Sequence, residues 1–200
     1  MGASPYIQIK NDMVALGVKE TNMASAIAVE VIDGNLVAKL ESGCEEGEIY
    51  QTLLTTMWDI QGSFGIEFLY TLYTDKEQVY YGVDTDTSEG HRMVGEVFEM
   101  SYEELETVFE GQEFVQDFID YTEDGDLISA YKPIYNSEDS IVAIVGCDYN
   151  ASMITVELQS NLQRVIFLGF ICLLISTIIL NIIVSVIMKN LRMVDKKYMI

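Results

Sequence analysis

Residues Val165–Met188 read VIFLGFICLLISTIILNIIVSVIM, 24 positions without a charge. At about 1.5 Å of rise per residue, a helix of that length reaches roughly 36 Å, enough to cross a hydrocarbon core of about 30 Å with some tilt. A buried helix of this length in a small domain would carry a polar face. Here only Ser176, Thr177, Asn181 and Ser185 interrupt the apolar run. The segment reads as a membrane span and makes the lipid bilayer the first expected partner. Asn181 has two readings, a hydrogen bond to a partner helix or a tolerated polar residue.

Charge then orients the span. From Gln159 onward there are 5 of the chain's 11 basic residues and only 1 of its 32 acids, Asp195. Lys189, Arg192, Lys196 and Lys197 follow the span closely, and Arg164 alone precedes it. The positive-inside rule places that tail in the cytoplasm and the large acidic part outside the plasma membrane. The N-terminus, MGASPYIQIKND, has no basic region followed by an apolar one, so neither a signal peptide nor a first membrane helix is legible. The expectation is a piece of a longer protein, with a first span before Met1 and an output module after Ile200.

Composition removes several function classes. A net charge of −21 with no basic stripe excludes nucleic acid as a partner. Some 160 residues precede the span, room for one domain with its own core. Of three cysteines, Cys172 lies in the span. Cys44 and Cys147 leave two alternatives, a bridge or free thiols, with the apolar run around Cys147 favouring a buried free thiol. No CxxC or Cys/His spacing occurs, and His91 is the chain's one histidine. A zinc site and a Ser-His-Asp triad both lack their parts, so no catalytic residue, metal ligand or cofactor is expected.

The pattern along the chain changes period. Asn22–Ile32 and Glu45–Ile60 have helical apolar spacing, with Asp33-Gly34 and Gly62 as stops. Ile66–Thr74 and Gln78–Asp84 are rich in Tyr, Phe and Val and are joined by Asp75-Lys76-Glu77, a hairpin signal. Ser101-Tyr102-Glu103-Glu104 is a capping box opening a short helix that Gly111 ends. Phe114–Tyr121, Leu127–Tyr135 and Ile141–Asp148 read as three strands of an antiparallel meander. Ala151–Arg164 is helical again and enters the span without a breaker. The fold class is therefore α+β with a five-stranded antiparallel sheet, followed by one transmembrane helix.

Three stretches resemble the extracytoplasmic Cache domains, PAS-like sensor modules of bacterial chemoreceptors, sensor kinases and diguanylate cyclases. They are FLYTLYTDKEQVYYGVDTDTSE (Phe68–Glu89), SAYKPIYNSEDSIVAIVGCDYN (Ser129–Asn150) and AIAVEVIDG (Ala26–Gly34). The second is the most specific, with a strand ending in Pro133-Ile134, a polar turn, and a Val/Ile-rich strand closing on Gly146-Cys147-Asp148. The resemblance runs from about Met23 to Met188. It implies a long N-terminal helix from a first membrane span, a sheet with one face forming a ligand pocket, and a signalling exit helix. The chain departs from the pattern in having no first span and no Pro-containing linker start among Lys189–Ile200. It also lacks the Arg-x-Trp-Tyr signature of amino-acid-binding double Cache domains, so amino-acid ligands are not carried over. The resulting division is an N-terminal segment 1–22, a Cache-like sensor domain 23–158, an exit helix and span 159–188, and a cytoplasmic tail 189–200.

Ligand contacts are sought where apolar and aromatic walls meet a few polar groups. Tyr70, Tyr81 and Tyr131 sit on strands expected to line the sheet. Alternation places Tyr70 with Phe68 and Leu72 on one face and Tyr73 with Leu69 on the other, and turns Tyr80 and Tyr81 in opposite directions. Asp84 and Asp86 close the second strand, with His91-Arg92 in the loop behind. A carboxylate beside a cation there would orient an amine or acid group on a ligand; a solvated turn is the alternative. Asp148 has two open roles, capping the following helix or touching the ligand. Asp84-x-Asp86-x-Ser88 begins like a calcium loop, but Glu89 stands where that loop needs glycine and Gly95 where it needs its bidentate glutamate.

The expectation is a ligand-sensing domain and second membrane helix of a homodimeric bacterial receptor, with a small-molecule partner. A membrane-anchored adhesion or assembly domain without signalling is the alternative. The absence of a flexible linker between Ala151 and the span favours the first.

Overall fold

A computed structural model of the chain describes residues 5–122 and 125–198. The chain divides into two compact units, Met1–Ile154 and Thr155–Ile200.

The first unit begins with helix α1, Pro5–Val31. It starts well before the Asn22 that apolar periodicity marks, so residues 5–22 belong to the same helix as the domain's entry. Its buried positions, Gly17, Thr21, Ala24, Ser25 and Ala28, follow helical spacing and are all small. Larger apolar side chains, Met23, Ile27 and Val31, lie on the exposed side. A small-residue stripe lets a helix approach a sheet closely but gives a weak apolar signal, which is why the sequence pattern begins late. Asp33 caps α2, the single turn Gly34–Val37, by accepting from Asn35 N–H at 2.8 Å.

Helix α3, Glu48–Phe64, buries Tyr50, Leu53, Leu54, Met57 and Ile60. It runs through Gly62, expected as its stop, and ends at Gly65 in the left-handed region, φ 62°. Glycine inside a helix costs only about 1 kcal/mol relative to alanine, whereas a left-handed terminus selects for it.

The sheet carries β1 (Phe68–Thr74), β2 (Val79–Asp84), β3 (Phe114–Val115), β4 (Asp120–Thr122), β5 (Gly125–Tyr135) and β6 (Ile141–Asn150). All pairings are antiparallel, in the order β2-β1-β6-β5-β3, with β4 also on β5. The third expected strand, Phe114–Tyr121, is thus two short pieces on one neighbour. Buried Gln116 breaks it, donating from its side-chain amide to the Phe118 carbonyl at 2.9 Å. The meander of the last strands and the β1–β2 hairpin stand as the pattern predicts. In the hairpin turn Asp75 accepts from Glu77 and Gln78 N–H at 2.9 and 2.8 Å. The expected capping box opens α4, Tyr102–Phe109.

Two apolar layers cover the sheet. One joins α1 and α3 to Leu69, Val83, Ile134, Val145 and Cys147. The other gathers Tyr70, Leu72, Tyr81, Phe98, Leu105 and Tyr131 on the opposite face. Cys44, Cys147 and Cys172 are all free, which settles the cysteine alternatives in favour of thiols. Burial, reinforced by neighbouring Asp148, pushes the Cys147 thiol well above its ordinary value.

The remaining helix, α5, spans Ser152–Tyr198. Within it Leu162–Met188 is long and apolar enough to cross a membrane, and its apolar side chains are exposed. It is the one such helix among the described residues.

Candidate functional site

A β-bulge shapes the face of the sheet that matters. Tyr70 pairs with Asp84 and Leu72 with Tyr81, so Thr71 alone faces both Gly82 and Val83. Strict alternation would send Tyr81 and Asp84 to opposite faces, because they are three residues apart. The extra residue resets the parity. Val83 turns into the helix-side layer, while Tyr81 and Asp84 share the other face. The Thr71 hydroxyl fills the gap in the ladder, accepting from Val83 N–H at 2.8 Å. A Cβ on Gly82 would lie 2.4 Å from that hydroxyl oxygen, so glycine is what the bulge admits there.

On this face lies a cavity of about 760 Å³, within the size range of small-molecule sites. All six residues singled out from the sequence line it: Tyr70, Tyr81, Asp84, Asp86, Tyr131 and Asp148. Strand register explains the meeting on the floor. Tyr70 and Tyr131 both pair with Gly146, from opposite sides, and Phe68 and Ser129 both pair with Asp148. An ideal Cβ on Gly146 would stand 2.2 Å from the Tyr70 ring, so the ring lies directly over that glycine. The Tyr70 and Tyr131 hydroxyls meet at 3.3 Å. Burial is the main cause raising both phenols, and the Asp148 charge comes next. Both stay neutral hydrogen-bonding groups at physiological pH.

Asp84 is 4% exposed, so it is no part of a solvated turn. One carboxylate oxygen accepts from Asp86 N–H at 3.0 Å, the other from Arg92 N–H at 2.8 Å. His91 Nδ1 lies 3.7 Å from it. Burial raises the Asp84 carboxyl above its ordinary value, against the opposing pull of these two N–H groups and of His91. Asp84 therefore both lines the cavity and ties its loop together. Half-buried Asp86 accepts from the Ser88 N–H and hydroxyl, each at 2.8 Å. For Asp148 the capping alternative fails: it lies inside β6, and Asn150 accepts from Ser152 N–H at 2.8 Å instead.

The sequence reading missed one wall. Residues 95–98 pair along the free edge of β2, with Gly95 N–H donating to the Tyr81 carbonyl and Phe98 N–H to Val79, both at 2.8 Å. This carries Phe98 against Tyr81, ring centroids 5.1 Å apart, and against Tyr70 at 5.7 Å. Glu99 accepts from the Tyr81 hydroxyl at 3.1 Å, and Met100 Sδ accepts from the Tyr131 hydroxyl at 3.6 Å. The segment GEVFEM alternates apolar and polar residues too weakly to mark a strand.

The fold is similar to that of solved receptor sensor domains. The sensor domain of the V. cholerae histidine kinase DctB superposes with a TM-score of 0.52 at 9% identity, over 76% of this chain and 57% of that one. The ligand-binding domain of the Campylobacter jejuni chemoreceptor Tlp3, in complex with L-valine, aligns with a TM-score of 0.45 at 12% identity, over 80% and 67%. The E. coli DcuS sensor domain aligns at 0.44 and 11% identity, over 76% and 98%. No protein-family model and no curated protein matches by sequence, so the likeness is one of fold.

Proposed function

We propose that this chain is the ligand-sensing part of a bacterial transmembrane receptor. A small molecule binds the tyrosine-lined cavity of the acidic domain, which faces outward, and α5 carries the conformational signal through the bilayer to a cytoplasmic output. The observation that carries this reading is the cavity itself. Three tyrosines and three aspartates from four separate stretches of sequence converge on it, in a domain with the sensor fold. In this reading the receptor acts as a homodimer, and the domain is a sensor and not itself an enzyme.

Signalling requires that the ligand bind two arrangements of the domain with different affinity, since tight binding alone shifts nothing. It also requires a stiff connection, and the sequence between Ala151 and Gly169 contains neither Pro nor Gly. The test is a hybrid receptor joining this chain to a chemoreceptor signalling module, screened with amino acids, amines and carboxylic acids. A Gly-Gly-Ser-Gly insertion after Gln159 should abolish the response while leaving ligand affinity within about a factor of two, roughly 0.4 kcal/mol. A full response from the insertion variant would return the helix to a passive anchor and favour the adhesion reading.

A further inference from the structure

Every second residue from Asp84 to Arg92 lines the cavity, so the loop after β2 is one of its walls. Both ends of that loop are pinned by α3 and the segment before it. The Trp58 indole N–H of α3 donates to the Thr85 carbonyl at 3.1 Å. At the far end Val94 N–H donates to Glu45 Oε1 at 3.0 Å, and the Ser42 hydroxyl donates to the Val94 carbonyl at 2.9 Å. Between the pins, Thr87 to Gly90 are exposed. What ties this middle stretch to buried structure is the Asp84 carboxylate, through the Asp86 and Arg92 N–H groups.

His91, the chain's one histidine, completes the tie. Its Nδ1 lies 2.9 Å from the Asp86 carbonyl oxygen, which only accepts, so Nδ1 carries the proton of the neutral ring. A second proton goes to Nε2, and no hydrogen bond has to be re-aimed to admit it. Only the charge changes. The ring is then a cation 3.7 Å from Asp84 Oδ2, the same oxygen that accepts from Arg92 N–H. That charge offsets part of what burial costs the carboxylate. Arg92 itself, a permanent cation, is exposed and reaches Asp84 through its backbone. The other charged and titratable groups facing the pair are Asp86 and Arg92 of the loop, Tyr81 of β2, Tyr50 of α3 and Glu45 before it. Among side chains, imidazole is the one whose ordinary titration falls between about pH 5 and 8.

We propose that His91 is a proton-operated clasp on the cavity: protonated, it holds the Asp86–Arg92 stretch against Asp84 and closes that wall, and neutral, it lets the stretch swing out between the pins at Thr85 and Val94. His91 does not line the cavity, so it is a positioning residue that acts through the loop. The clasp belongs to the folded domain and operates without a ligand. Only its use in sensing rests on the reading of the cavity as the ligand site.

Amide hydrogen exchange of the full chain in lipid nanodiscs, followed from about pH 5.5 to 8 and corrected for the intrinsic pH dependence of exchange, tests it. Protection of the Asp86–Arg92 peptide, relative to the β5–β6 hairpin, should fall by about threefold or more as pH rises. The midpoint should coincide with that of the single imidazole signal seen by nuclear magnetic resonance. His91→Gln keeps a side-chain N–H for the Asp86 carbonyl but takes up no charge, and should make protection level across the range. Asp84→Asn should do the same, because the cation then has no counter-charge. Glu89→Gln, at an exposed position of the same loop, changes net charge by one and should leave the pH dependence intact. Level protection in the wild-type chain would overturn the clasp. So would a pH dependence that survives His91→Gln, which would pass the titration to Asp84 or another group, and so would its loss in Glu89→Gln, which would reduce the effect to net charge.

Discussion

Replacing Gly146 by alanine puts one methyl group under the Tyr70 ring. Its Cβ would stand 2.2 Å from the nearest ring carbon and 2.6 Å from the next, against ordinary carbon contacts of about 3.5 Å, so the ring must move by about 1.3 Å. The ring has little room in its own layer, because Tyr81 and Phe98 flank it with centroids 5.7 Å away. Moving it also breaks the 3.3 Å contact with the Tyr131 hydroxyl. Overpacking of this kind costs about 1–3 kcal/mol and the lost hydrogen bond about 1 kcal/mol, together about 3 kcal/mol. For a domain of this size the melting temperature should fall by roughly 6–12 °C. The assay is tyrosine near-ultraviolet circular dichroism of the full chain in detergent, followed through a thermal melt. The decisive comparison is a double-mutant cycle with Tyr70→Ala. With the ring gone the new methyl meets no obstacle, so the two substitutions should couple by at least about 2 kcal/mol. An equal cost for Gly146→Ala in both backgrounds would refute the reasoning and show that the glycine serves the strand, not the tyrosine.

Thr71→Val removes the oxygen that accepts Val83 N–H inside the bulge, at nearly unchanged volume, and should destabilise the chain by about 1–3 kcal/mol in a thermal melt, whereas Thr71→Ser should cost less than about 1 kcal/mol. Asp84 supplies a pH signature. Its carboxyl is raised by burial, so the folded state still holds the proton after the unfolded chain has released it near 3.8. Stability attributable to Asp84 therefore falls as pH rises from about 3.8 through the raised value, and is level above it. Asp84→Asn does not titrate, so melting temperatures measured from about pH 3.5 to 7 should shift in its favour, relative to wild type, as pH rises; parallel curves would refute this.

Much of this molecule is legible from local pattern. The apolar run Val165–Met188, the hairpin at Asp75-Lys76-Glu77, the capping box at Ser101 and the last two long strands are each fixed by short-range chemistry: hydrophobic length, turn geometry, side-chain capping. The tyrosines and aspartates of the cavity were visible because their residue types are uncommon on a plain core face. What stayed hidden depends on contacts distant in sequence. The packing face of α1 is built of small residues, whose value is realised only against a sheet formed more than a hundred residues later. The wall of Phe98, Glu99 and Met100 exists because residues 95–98 find the open edge of β2. Asn150 in place of Asp148 as the cap follows from how far β6 extends. Above all, period-two alternation would have separated Tyr81 from Asp84. One unpaired residue opposite Thr71 puts them on the same face, because strand parity is set by pairing with a neighbour and not by the strand's own sequence.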